Sequence, residues 1–151
     1  MFLFNVRVYG LLINEQDEIL LSDEEHQSVR FSKFPGGGLE YGEGLLDALK
    51  REFMEECETP IEILEHIYTT DFFEKSSFNE SQIISIYYLV KPLEPLKCRI
   101  STGNFDFEDA GVVKQSFRWV KRTALSPDDV TFLTDKIAIE KLHEFWNKSA
   151  V

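Results

Sequence analysis

Two cysteines, Cys57 and Cys98, are all the thiol chemistry this chain offers. They stand in no metal-type spacing and are too few for a disulfide framework, which excludes a stapled scaffold or a zinc ribbon. Basic residues are also short: sixteen Lys and Arg face twenty-seven Asp and Glu, for a formal net charge of −11. That balance argues against sequence-independent affinity for nucleic acid, which needs cations to neutralise phosphates. An anionic small molecule is not excluded if a metal ion mediates its binding. No apolar run approaches the roughly 20 residues that span a bilayer, so no membrane partner is expected. The opening "MFLFNVRVYGLLI" is apolar, but Asn5 and Arg7 interrupt it and no small-residue cleavage site follows. It reads as a strand rather than a signal peptide. Internal repeats, low-complexity tracts and linkers are missing as well. The expectation is a cytoplasmic, acidic protein, with a homodimer left open.

What is present suits one domain spanning residues 1–151. Hydrophobic residues make up 43% of the chain and thirteen are Phe, enough material for a real core at this size. "NVRVYGLLI", the turn "NEQDE" and "ILLS" predict a hairpin. "DEEHQSVRFSK" reads as a polar connection into "FPGGG". A helix is expected from about Glu43 to Cys57, stopped by Thr59-Pro60. "IEILEHIYTTDFF" and "QIISIYYLV" look like strands, residues 91–115 like a loop, "SFRWV" like a last strand. "FLTDKIAIEKLHEFW" has the spacing of a C-terminal amphipathic helix. Mixed strands around a central helix, with another helix at the end, predict an α/β sandwich around a mixed sheet.

The segment "GGLEYGEGLLDALKREFMEECET" sets a glycine loop directly before a strongly acidic helix. At about 100° per residue, Glu52, Glu55 and Glu56 share an arc, while Leu46, Leu49, Phe53 and Cys57 fill the adjoining one. Like charges at this spacing repel by a few tenths of a kcal/mol per pair. A cation reverses that cost, and clustered carboxylates are the hard oxygen ligands that Mg²⁺ and Mn²⁺ prefer. Glycines let backbone groups approach a ligand without a Cβ in the way, so the loop can add a carbonyl to the cluster. An acidic helix face alone is usually solvated surface. The loop in register with it points instead to a divalent cation and a phosphate chain bound to that cation.

The same stretch resembles the Nudix box, G-x5-E-x7-R-E-U-x-E-E-x-G-U with U a bulky apolar residue. Gly37, Glu43, Arg51, Glu52, Phe53, Glu55 and Glu56 stand at the required offsets, and "FPGG" resembles the usual lead-in. Glu58 and Thr59 depart from the late glycine and the final apolar residue, which affects the helix end and leaves the carboxylates intact. The resemblance implies a Nudix-type α/β/α sandwich and metal-dependent hydrolysis of a nucleoside diphosphate linked to another group. It implies Glu52, Glu55 and Glu56 as catalytic residues and metal ligands, with Glu52 the first candidate for general base. A carbonyl of the Gly36-Gly37 turn would join the Mg²⁺ or Mn²⁺ shell. Glu43 and Arg51 would support the box, Arg51 reaching Glu55 or returning to Glu43. A further acid from the loop before the last strand is assigned to Glu108, with Asp106 and Asp109 as its polar neighbours.

Other residues read as structural. His26, His66 and His143 are isolated. Trp119, Trp146, Phe72, Phe73, Tyr87 and Tyr88 are assigned to the core, with one of them free to stack a base. Glu40 and Glu58 are expected in solvent. The proline marker of some ADP-ribose-cleaving relatives is replaced by Glu74, so the substrate and its binding residues stay open. A sensing module without turnover is the competing function, and an RNA-decapping activity is disfavoured by the net charge.

Overall fold

Strands at the N-terminus separate instead of pairing. In the computed structural model, which describes residues 3–108, 111 and 113–149, β1 (Phe4–Leu12) and β2 (Glu18–His26) are linked by a single backbone bridge just past β1, Ile13 to Ile19. The expected hairpin is therefore corrected. β1 lies parallel to β6 (Gln82–Pro92) from Phe4–Gln82 to Leu12–Val90, and antiparallel to the short β4 (Gly36–Gly38). β5 (Ile61–Thr69) completes a four-stranded sheet in the order β4-β1-β6-β5. β2 sits between β3 (Val29–Lys33) and β7 (Val113–Lys121) in a second, antiparallel sheet. The edges of β1 are taken by β4 and β6, and those of β2 by β3 and β7.

The two-residue strand period sorts the core. Val8, Leu12 and Leu20 point to one side, where they meet Ala48, Leu49, Phe53 and Cys57 of α1 (Leu45–Cys57). Tyr9, Leu11, Ile19 and Leu21 point to the other, against Ala138, Ile139 and Leu142 of α2 (Leu133–Ser149). This is the α/β/α arrangement expected, with mixed strands in the middle layer. Cys57 fills the α1 seam and Cys98 packs against the same cluster. Leu46, placed on the buried arc by its spacing, is exposed, and Ala48 takes its place.

The "polar connection" before "FPGGG" is a second correction. β2 runs on to His26 and turns into β3 through Gln27 and Ser28, whose φ values of 50° and 68° are both positive. Two such residues suit a tight hairpin turn, and with neither Gly nor Asn in place the usual signal for it is missing. The Gly36–Gly38 segment is also not a turn: it is strand β4, paired with Arg7, Val8 and Tyr9. Gly36 has φ of 145°, and a Cβ there would lie 2.1 Å from the Val8 carbonyl oxygen. Only glycine fits.

Helix α1 ends at Glu58 in the left-handed region, φ 50° and ψ 35°, where the Nudix pattern has glycine. The exit holds because Glu58 N–H donates to Met54 O at 3.1 Å and Thr59 N–H to Phe53 O at 3.4 Å. Thr59 adds a hydroxyl bond to Cys57 O at 2.7 Å and is fully buried. The two departures from the box thus close the helix together. Phe73, expected in the core, is exposed, while Tyr87 is buried.

Candidate active site

Arg51, one turn before the end of α1's acidic stripe, organises the junction between helix and glycine strand. Its Nε and Nη2 donate to Glu43 Oε2 and Oε1 at 3.0 and 2.6 Å, a fork on a carboxylate. Nη2 also reaches Gly38 O at 3.1 Å, and Nη1 donates to Glu52 Oε1 at 3.0 Å and Glu55 Oε2 at 3.2 Å. Arg51 thus contacts both Glu43 and Glu55 at once. The Glu43 bonds foremost hold the guanidinium charged, and Arg51 together with the Glu40 backbone keeps the Glu43 carboxyl below its ordinary value.

Gly37 and Glu52 meet tightly: a Cβ on Gly37 would lie 2.5 Å from Glu52 Oε1. Glu56 is held from two sides, by Gly36 N–H to Oε2 at 3.1 Å and by Gln115 Nε2 to Oε1 at 3.0 Å. Burial pushes the Glu56 carboxyl upward, and Glu24 and Glu52 add to this as like charges, against Lys33 and Gln115.

Glu52, Glu56 and Gly36–Gly38 line a cavity of about 530 Å³. Sequence reasoning missed most of its other walls. Arg7, Tyr9, Glu24, His26, Lys33, Ser85, Thr134 and Asp135 all border it. The available signal was alternation: Asn5, Arg7 and Tyr9 line it from β1, Glu24 and His26 from β2, Phe31 and Lys33 from β3, Ile83 and Ser85 from β6. Lys33 Nζ lies 3.2 Å from Glu24 Oε2, and burial, which would lower its pKa, is outweighed by Glu24, Tyr9 and Glu56. Arg7 Nε donates to Tyr9 Oη at 2.6 Å. At the start of α2, buried Asp135 accepts from Tyr87 Oη, and its desolvation pushes its pKa up to about 7.

Two expected site residues stand elsewhere. Glu55 is exposed beside Arg51 and does not border the cavity. Glu108 pairs with Arg99 Nε at 2.9 Å, as Asp106 does with Arg99 Nη2 at 3.0 Å, and neither borders the cavity. Asp109 lies outside the described residues. His66 and His143 are satisfied by Thr69 and Leu125 O, each at 2.8 Å, while His26 faces Glu24 at 3.4 Å.

Among the described residues, no three acidic, histidine or cysteine side chains converge as a ready cation cage. Arg51 draws Glu52 and Glu55 to itself, and Gly36 and Gln115 hold Glu56. The donor set nevertheless fits a hard divalent ion. Glu52 and Glu56 are oxygen donors sharing one cavity, and their mutual repulsion at Glu56 is what a cation relieves.

The NUDIX domain model matches residues 3–139. Among solved structures, the chain is similar to the E. coli ORF135 protein, with 18% identity and a TM-score of 0.70 over 95% of this chain and 91% of that one. The MutT protein from Methanosarcina mazei Go1 gives 16% identity and a TM-score of 0.68 over 98% and 96%. A UDP-X diphosphatase gives 16% and 0.59 over 97% of this chain and 62% of that one. No curated protein matches the chain. With the domain matched over most of its length, and Arg51, Glu52 and Glu56 gathered at the glycine strand, the chain belongs to the Nudix hydrolases, a family that cleaves pyrophosphate bonds in nucleoside diphosphate derivatives.

Proposed function

We propose that this protein hydrolyses the pyrophosphate bond of a nucleoside diphosphate joined to another moiety, with Mg²⁺ or Mn²⁺ as its cofactor. The observation that carries the reading is one cavity holding Glu52 and Glu56 beside three cations, Arg7, Lys33 and Lys75. A polyanion needs both a cation site and fixed positive charge, and this wall offers them side by side. Among the solved neighbours, the UDP-X diphosphatase is named for cleaving the same kind of linkage.

Glu52, Glu56, a Gly36 or Gly37 carbonyl and, once released by Arg51, Glu55 are the residues that would hold the ion. When bound, the ion neutralises the pyrophosphate and lowers the pKa of water. Glu52 then accepts the proton of the attacking water, with Arg51 fixing its Oε1 and Gly37 leaving it room. Gly36 N–H and Gln115 keep Glu56 turned toward the glycine strand. Glu108 is retained as a further acid of this set only if the loop bearing it releases Arg99. No helix among the described residues is long and apolar enough to cross a membrane, and the acidic surface with free cysteines supports a cytoplasmic setting.

The test is a panel of nucleoside diphosphate derivatives assayed for nucleoside monophosphate and phosphate release, with and without Mg²⁺. Metal-dependent release is expected, and Glu52→Gln should lower the rate about 10²- to 10⁴-fold, the range for an acid–base group. Metal-dependent binding of the panel without any turnover would leave the protein a sensing module.

A further inference from the structure

Lys33, one of the cations of the cavity, forms an ion pair with Glu24. Both are nearly buried, at 8% and 7% exposure, and both border the cavity that holds Glu52 and Glu56. The pair has uneven anchoring. Glu24 Oε2 accepts from Ser22 Oγ at 2.9 Å as well as facing Lys33, and Oε1 lies 3.4 Å from His26 Nε2. Glu24 therefore keeps two partners if Lys33 leaves. The Lys33 ammonium has Glu24 and the Phe34 carbonyl, each at 3.2 Å, as its oxygen acceptors among the described residues. Its remaining N–H has the face of Tyr9, whose centroid is 5.3 Å from Nζ. A ring face is a weaker partner than an anionic oxygen, so this donor is open to a better one.

The charge around it makes that opening consequential. The acids bordering the cavity are Glu24, Glu52, Glu56, Glu74 and Asp135, against Arg7, Lys33 and Lys75 as fixed cations. Lys75 is turned to Glu80 at 3.4 Å with both side chains largely exposed. Arg7 is tied to the Tyr9 hydroxyl. An anion entering this acidic cavity meets Lys33 as the buried cation whose counter-charge has other bonds to fall back on. We propose that Lys33 is a substrate-binding residue that exchanges its internal partner Glu24 for a phosphate oxygen of the substrate, so that Glu24 acts as a built-in competitor for the phosphate chain. The assignment rests on the hydrolase reading of the cavity and adds the residue that contacts the phosphates. A compact ammonium suits this exchange, because it can swing between acceptors without the fixed fork of an arginine.

The proposal and a merely structural ion pair predict opposite signs for one variant. The probe is inorganic pyrophosphate, titrated by calorimetry in saturating Mn²⁺, with Mn²⁺ binding measured alone. Glu24→Gln removes the competitor and should tighten pyrophosphate binding about 3- to 10-fold. Lys33→Met should weaken it about 10- to 100-fold while leaving Mn²⁺ affinity within about 2-fold, and Lys33→Arg should restore part of it. These are the ranges expected when a charge-assisted hydrogen bond is gained or lost. Since Lys33→Met leaves Glu24 without its cation, thermal melts accompany each variant, and the double change Glu24→Gln with Lys33→Met gives the same reading with no orphaned charge. Pyrophosphate affinity that falls in Glu24→Gln, stays unchanged in Lys33→Met, or is no weaker in the double variant than in Glu24→Gln, overturns the exchange. Mn²⁺ binding with no pyrophosphate uptake by the unmodified protein also overturns it, and leaves the carboxylate site standing. Loss of Mn²⁺ binding in the unmodified protein would instead strike the hydrolase reading itself.

Discussion

Arg51 grips Glu43 through two parallel hydrogen bonds, at 3.0 and 2.6 Å, while the same guanidinium reaches Gly38 O and Glu52. One side chain thus ties the turn before α1, the glycine strand and the cavity-lining carboxylate of Glu52 into a single unit. Lysine carries the charge without the fork. Arg51→Lys should therefore lose part of the stability and most of the alignment, with Arg51→Ala costing about 1.5–3 kcal/mol, as for hydrogen bonds to charged groups. Urea melts and turnover measured together check this. Full activity in Arg51→Lys would mean that Glu52 is positioned by something else.

Gly37 tests the site with little demand on the fold. A methyl group there falls 2.5 Å from Glu52 Oε1, and the carboxylate is the free end of a side chain that can move aside. Gly37→Ala should keep the melting temperature within a few degrees and lower turnover at least 10-fold, on the order of a displaced acid–base group. An unaffected rate would show that the position of Glu52 at the glycine strand is not needed.

Phe53 anchors the acidic stripe from beneath. It is fully buried, and a Cβ on Gly10 would lie 2.5 Å from its ring. Phe53→Ala should cost about 3–5 kcal/mol, typical of a large core truncation. Gly10→Ala should cost about 1–3 kcal/mol through overpacking. Denaturant midpoints decide both, and a cost below about 1 kcal/mol for Phe53→Ala would contradict the packing of α1.

Asp135 should make stability depend on pH. Burial raises its pKa from 3.8 to about 7 in the folded chain. Its contribution is complete below about pH 4, where both states are protonated, and is lost as the pH rises through 7, on the order of 4 kcal/mol. Asp135→Asn removes the titration while leaving an acceptor for the Tyr87 hydroxyl. The stability of the unmodified protein relative to Asp135→Asn should therefore fall from pH 4 to pH 8. A flat difference would show that Asp135 is ionised throughout.

The chain's local spacing determined the helix, its buried Leu49 and Phe53, the glycines before it and the Arg51–Glu55 contact, because residues three and four apart meet on a helix whatever surrounds it. The same logic gave the strand content but mispaired β1 with β2, since a turn between two apolar runs looks alike whether they share a sheet or part after one bridge. It also placed Leu46 inside, because a helical wheel gives an arc and not the surface that will cover it. The cavity belongs to tertiary structure. Arg7 meets Ser85 through the parallel β1–β6 pairing, Lys33 meets Glu24 across the β2–β3 hairpin, and Asp135 arrives on the last helix beneath Tyr87. Those residues are distant in the chain or joined by a turn without a sequence signature. What brings them together is the burial of both faces of β1 and β2, a condition no short stretch of sequence contains.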